Sequence, residues 1–447
     1  MESAELAKFL NDSDEFIVTE TARAIHDDFS VPAALPALGA ILNTTTFQNE
    51  ALIRRVISAN QRVGKEENLN HLMAFLGKSS TPEVLRQETL ASIGTWAKPS
   101  LLDRVDGRYR GEVVRDAALI RDQVKPILIT QLGAREESLR IESAKAFGKL
   151  GMTDVSDLLM TKLKSDPSDL VKVEALNSLV AMNAPNLGVA ISQAMGDNSQ
   201  SVRVAGLGLL AQTSLPNDQK VSLLTDIIAK RTVPEKQTAL LTLGELEGSG
   251  NLPVWKTILA DFEAGKLPDA TWIELEEALA ATESKELTAQ FASLLEAKAG
   301  GEPWKKYAGA LAEGNVRLGR RIFYENQTAQ CIRCHAYDDM GGNAGPALDQ
   351  IGITLSREEL LIALVDPSKR LAPGYGFLTI ELTSGDKVAG TMMSENSGSV
   401  TLKIGAEEKV ISKKDIKSSS MSASSMPPMG ELLSKSCLLY TSDAADE

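Results

Sequence analysis

The string Gln330-Cys331-Ile332-Arg333-Cys334-His335 places two thiols three positions apart, with an imidazole directly after the second. Thiols at that spacing share one turn of backbone and reach the two vinyl groups of a single porphyrin, where they form thioethers. The adjacent ring nitrogen then faces the iron from the same side. The motif points to one covalent haem c held by Cys331, Cys334 and His335. A Cys-x-x-Cys pair also serves structural zinc and dithiol redox chemistry. Zinc needs two more ligands, and only Cys437, His26 and His71 remain, all remote in sequence. A thioredoxin-like dithiol needs a βαβ setting, whereas here an amphipathic helix is expected just ahead, over Asn315–Tyr324, with Val316, Leu318, Ile322 and Phe323 inward. Elsewhere there is no Ser-His-Asp set, no G-x-G-x-x-G on a strand–helix unit and no phosphate loop, so no catalytic residue is assigned.

Further landmarks follow the motif. They are Gly345-Pro346-Ala347-Leu348, then Leu360-Leu361 with Asp366-Pro367-Ser368-Lys369, then Pro373-Gly374-Tyr375, Gly385–Gly390 and Ser425-Met426-Pro427. With Cys331–His335 they resemble a class I cytochrome c domain, and in particular the haem-binding domain of planctomycete-type proteins. In that family a helical repeat region commonly precedes the cytochrome, and a β-propeller resembling a sugar or sorbosone dehydrogenase often precedes the repeats. The resemblance covers roughly 315–433 closely and 1–300 only in architecture. It implies that Pro346 lies beside the axial histidine, its carbonyl accepting the second ring N–H. It also implies a methionine thioether as sixth ligand, which raises the reduction potential. Met426 is the first candidate and Met429 the alternative; Met392 and Met393 fall in a strand-like run and fit less well.

Elements must hold these residues in place. Ser356 opens a helix to Asp366, with Glu359 three positions on as a capping box. Strand-like alternation follows over 374–382, 387–394, 399–404 and 409–416, giving a small β insertion at about 375–416 between haem loop and methionine loop. Upstream, a period recurs. Arg140, Lys172 and Arg203 are 32 and 31 positions apart, and Arg54 and Arg86 are 32 apart, each inside an apolar helical pattern. Gly64, Gly151 and Asn183 suit helix C-caps. Two helices every thirty-odd residues indicate an α-solenoid resembling HEAT repeats, although residues 97–115 break the period. His26 and His71 each read as a surface or capped residue on these helices, not as a ligand. The expected organisation is a mostly α chain: HEAT-like repeats over 1–298, a linker over 299–314 and a class I cytochrome c domain over 315–435. The stretch 436–447, with Cys437, reads as a foreign or out-of-frame tail replacing the last cytochrome helix.

Composition narrows the rest. Hydrophobic residues make up 43% and aromatics only 4%, which favours packed helices over sandwiches or barrels. No apolar run approaches the ~18–20 residues of a spanning helix. Net charge is -13 and no dense basic cluster is visible, which argues against nucleic-acid partners. Haem c attachment takes place outside the cytoplasm, so a periplasmic or otherwise exported protein is expected. The start Met1-Glu2-Ser3 shows no signal peptide, which reads as truncation of a longer chain. The expected function is single-electron transfer to a redox partner protein, with any dehydrogenase activity in an upstream domain. The alternatives are a helical-repeat scaffold, binding a protein partner and using the haem as a redox sensor, and a peroxidase-like cytochrome with an open distal position.

Overall fold

The computed structural model describes residues 4–28, 31–78, 80–312 and 314–438. It is mostly helical and divides into two compact units, Met1–Pro216 and Asn217–Glu447.

The first unit is a stack of helix pairs. Its helices are α1 (Glu15–Asp27), α2 (Leu35–Ala40), α3 (Glu50–Val63), α4 (Glu66–Leu76), α5 (Glu83–Gly94), α6 (Ala118–Leu132), α7 (Glu137–Leu150), α8 (Ser156–Ser165), α9 (Asp169–Ala181), α10 (Leu187–Met195) and α11 (Gln200–Leu207). The row α3, α5, α7, α9, α11 packs each member on the next, while α4, α6, α8 and α10 pack against that row. Each pair leaves one apolar side bare, so stacking is what completes a continuous core running from Leu10 to Val202.

The recurring cations sit in this row and reach forward to the next pair, Arg140 and Lys172 to the turn inside it and Arg54 to helix α5. Arg140 grips Asp166 with two bonds of 3.0 Å, Lys172 reaches Asp197 at 3.0 Å, and Arg54 reaches Glu88 at 2.8 Å. Gly64 and Gly151 end α3 and α7 at φ 69° and 63°, a backbone conformation that glycine enters without a Cβ clash.

The break in the period is a strap, residues 95–117, inserted between α5 and α6. It folds over the end of α1 and corrects the reading of His26, which is fully buried, not at the surface. His26 Nδ1 lies 2.7 Å from Asp27 Oδ1, and Nε2 lies 2.9 Å from Ser58 Oγ. Ser58 in turn donates to Asp103 of the strap at 3.0 Å. Arg62 and Arg110 donate to the His26 carbonyl and Arg108 to that of Asp27, so arginines cap the C-terminus of α1. His71 is partly buried, with Nδ1 at 3.2 Å from Asn60 Oδ1.

The second unit continues with α12 (Asn217–Lys230), α13 (Val233–Gly244), α14 (Val254–Glu263), α15 (Trp272–Ala281) and α16 (Lys285–Ala299). Pro303–Leu311, inside the stretch that reads as linker, forms a 3-10 helix. Its Trp304 and Ala310 join Ile273, Leu361, Val365, Met429, Leu433 and Leu438 in one buried cluster. Next come α17 (Val316–Glu325), the hairpin β1 (Ala336–Tyr337) and β2 (Met340–Gly341), α18 (Ile351–Thr354) and α19 (Arg357–Val365). Ser356 and Glu359 make the reciprocal bonds of a capping box at the start of α19.

An antiparallel sheet follows, with strands β3 (Gly376–Leu382), β4 (Lys387–Glu395), β5 (Ser399–Ile404), β6 (Glu407–Ser412) and β7 (Ile416–Met421). Its order is β6-β5-β4-β3-β7, so the last strand returns beside the first and delivers the chain to the methionine loop. Leu378, Ile380, Met392, Val400, Leu402 and Ile411 form its core. In the segment that reads as a foreign tail, Leu438 is fully buried in the cluster of Trp304 and Met429; residues 439–447 lie outside the described residues.

Candidate functional site

Gln330, at φ 47°, turns the chain into a 3-10 turn over Cys331–Arg333. The amides of Cys334 and His335 both bond the Cys331 carbonyl, at 3.1 and 3.0 Å, so both thiols and the imidazole leave one tight turn. Cys331 is partly buried and Cys334 exposed, and neither is in a disulfide. Burial, with Cys334 adding to it, pushes the Cys331 thiol above its ordinary pKa.

Residues 341–348 fold back over the turn. Gly342 donates to the Ile332 carbonyl at 2.8 Å, Gly345 to that of Cys334 at 2.7 Å, and Leu348 to that of Ala336 at 2.9 Å. A Cβ on Gly345 would stand 2.5 Å from His335 Cε1, so only glycine lets the loop lie against the ring. The next residue completes the arrangement: His335 Nδ1 lies 2.8 Å from the Pro346 carbonyl oxygen. A carbonyl only accepts, so Nδ1 carries a proton, and in the neutral ring the lone pair is on Nε2. Among the described residues Nε2 has no hydrogen-bond partner.

Helix α17 props this turn. Asn315 caps it, accepting from the Leu318 amide at 3.0 Å. Phe323 is buried, whereas Leu318, expected inward, is 40% exposed. Tyr324 donates to the Tyr337 carbonyl at 3.0 Å, and Arg320 pairs with Asp338 at 2.7 Å across the Tyr337 ring.

The methionine loop follows β7. Met429 is buried, and Met426 packs partly buried on the rim of the same cluster, which also takes Ala329, two residues ahead of Cys331. Met392 belongs to the sheet core instead. The fold thus brings Met426 and Met429 to one cluster with the approach to the motif.

These residues fit a haem c better than zinc. The thiols share a turn with a histidine whose Nε2 is left free and whose Nδ1 is held, as metal-ligating histidines require. Met340 and Ile353, on elements flanking the motif, stand 52% and 82% exposed, apolar surface that a large apolar group would cover. Among the described residues the one gathering of three metal-ligating side chains is His26, Asp27 and Asp106, far from the cysteines in sequence. Arg55 already bonds Asp27 twice, and Arg110 bonds Asp106, so those carboxylates are neutralised.

Sequence reasoning missed the Ser58–His26–Asp27 contact, because it joins positions 32 apart beneath a strap that no periodicity announces. It is not an activated nucleophile: Ser58 gives its proton to Asp103, and Ser58 and His26 are both buried from solvent.

No known protein-family model matches this chain, and no curated protein matches it. Among solved structures, YibA of Escherichia coli aligns with 14% identity over 63% of this chain and 93% of its own, at a TM-score of 0.39. The complex of CpcE and CpcF of phycocyanin lyase from a Nostoc species aligns with 17% identity over 63% and 94%, at 0.31. Human deoxyhypusine hydroxylase aligns with 15% identity over 63% and 95%, at 0.26. The repeat architecture described above rests on this chain's own helix stacking and cation register.

Proposed function

We propose that residues 315–435 are a class I cytochrome c domain that binds one haem c and carries single electrons. The observation that carries this reading is the His335 Nδ1 to Pro346 carbonyl bond of 2.8 Å on a turn that also bears two free thiols. Attachment would add each S–H across a vinyl group, the sulfur taking one carbon and the hydrogen the other, so no external oxidant is consumed. When bound, the haem supplies a one-electron couple between ferrous and ferric iron. Cys331 and Cys334 would hold it covalently. Pro346 keeps the proton on Nδ1 and aims Nε2. Met426, with Met429 as alternative, would supply a sulfur ligand to the iron. A chain that would supply two iron ligands of its own, His335 and Met426, favours a carrier over an enzyme. The domain would then act outside the cytoplasm with a redox partner protein, and the helical repeats would offer a further protein a surface.

The test is to express the chain behind an export signal together with haem-maturation machinery and to record its spectrum beside Cys331→Ala. Covalent haem with a ferric methionine-ligation band is expected in the wild type and a single thioether, or none, in the variant. A wild-type chain that leaves maturation without haem overturns the reading.

A further inference from the structure

The methionine loop is pinned at both ends. At its start the Ser424 amide bonds Ser368 Oγ just beyond α19, and the Met426 amide bonds Ser424 Oγ, both at 3.1 Å. Pro427 and Pro428 then restrict the backbone, and Met429 drops into the buried cluster. At the far end the Tyr307 hydroxyl donates to the Gly430 carbonyl at 3.2 Å. A Cβ on Gly430 would sit 2.7 Å from both Tyr307 Cζ and its hydroxyl oxygen, so the phenol lies directly against the loop backbone. Tyr307 is itself fixed. Lys435 stands 5.5 Å over its ring and is paired with Glu276 of α15 at 2.7 Å. Burial pushes the phenol above its ordinary pKa, which keeps it a donor at neutral pH. Between the two pins, the prolines face solvent, Met429 is inside, and Met426 rests on the cluster rim.

From this geometry we propose that Tyr307, which lies outside the cytochrome segment proper, is a positioning residue for the sixth iron ligand. It sets how firmly Met426 is presented to the metal. The proposal rests on the haem reading above. A thioether is a weak ligand, and its occupancy depends on how little freedom the loop must give up on binding. One neutral hydrogen bond contributes about 0.5–1.5 kcal/mol, so its loss weakens the sulfur by up to about tenfold.

The experiment uses the full haem-loaded chain and titrates ferric protein with imidazole, which must displace the sulfur to bind. Tyr307→Phe keeps the ring and removes only the hydroxyl. Its apparent imidazole affinity is expected to tighten severalfold, up to about tenfold, with a weaker methionine band and unchanged covalent haem content. Gly430→Ala, which forces the ring away, is expected to go further, towards the Met426→Ala reference. Ile380→Val, in the separate sheet core, should lower the melting temperature and leave the imidazole titration unmoved. Exchange of the Met426, Met429, Gly430 and Glu431 amides in the haem-free Cys331→Ala/Cys334→Ala chain should quicken in Tyr307→Phe. Haem present with a methionine band, but the same imidazole affinity and loop exchange in Tyr307→Phe, overturns this proposal and leaves the haem reading standing. A Met426→Ala titration identical to wild type overturns it as well. No haem in the wild type overturns both.

Discussion

At His335 one ring nitrogen is committed to the Pro346 carbonyl and the other is left for a metal. The commitment depends on Gly345, since any side chain there collides with the imidazole. Gly345→Ala is therefore expected to leave thioether formation intact and to shift the axial ligation, read as a changed Soret and methionine-band spectrum; a spectrum equal to wild type would show that the ring tolerates the push. A second residue-scale test concerns the buried pair under the strap. Burial raises the pKa of Asp103, but the hydrogen bonds from His26 and Ser58, the His26 charge and the Val105 amide outweigh it and hold the carboxyl well below the usual range. Burial likewise opposes, and the bonds from Arg55 and His26 likewise lower, the pKa of Asp27. A depressed carboxylate contributes stability above its unfolded pKa of about 3.9 and loses it as pH falls towards the folded value. The first unit should thus lose stability below about pH 4 more steeply than Asp103→Asn, as followed by melting temperature against pH. Equal slopes would remove Asp103 from the account.

At the scale of elements, the strap is the feature that departs most from a plain repeat. It places several charged side chains under cover in order to cap α1, and each of these is affordable only while its partner is present. Ser58→Ala leaves Asp103 and His26 each short of a bond in a buried place and is expected to cost about 1–3 kcal/mol in denaturant unfolding. A cost near zero would mean that water enters beneath the strap. Helix α19 offers a simpler case. Its capping box satisfies two amides that the helix cannot, and Ser356→Ala is expected to cost about 1 kcal/mol. The period of Arg140, Lys172 and Arg203 is readable because each cation serves a turn of its own or the next repeat, so one repeat length sets its spacing. The strap was not, since its partners lie in α1, α3 and α5, and only the folded chain brings them together.

At the scale of the whole molecule, Met1–Pro216 and Asn217–Glu447 each enclose their own apolar core, so each is expected to melt cooperatively when made alone. Residues 315–438 alone should not: Leu361, Val365, Met429 and Leu433 lose Ile273, Trp304 and Ala310, which cover them from upstream. That fragment is expected to bind a hydrophobic dye and to aggregate, and a cooperative melt would contradict the shared cluster. By itself the sequence determined whatever depends on neighbours along the chain. The Cys331–His335 turn, the Ser356 cap, the strand alternation after Gly374 and the repeating cations all act within a few residues or one repeat. Tertiary structure alone decided that Trp304 and Tyr307 pack as part of the C-terminal core, that Met426 sits at the rim while Met429 is buried, and that His26 is enclosed. Those outcomes depend on which faces meet across about 30 to 125 residues, and a local pattern of residue types carries no record of such distances.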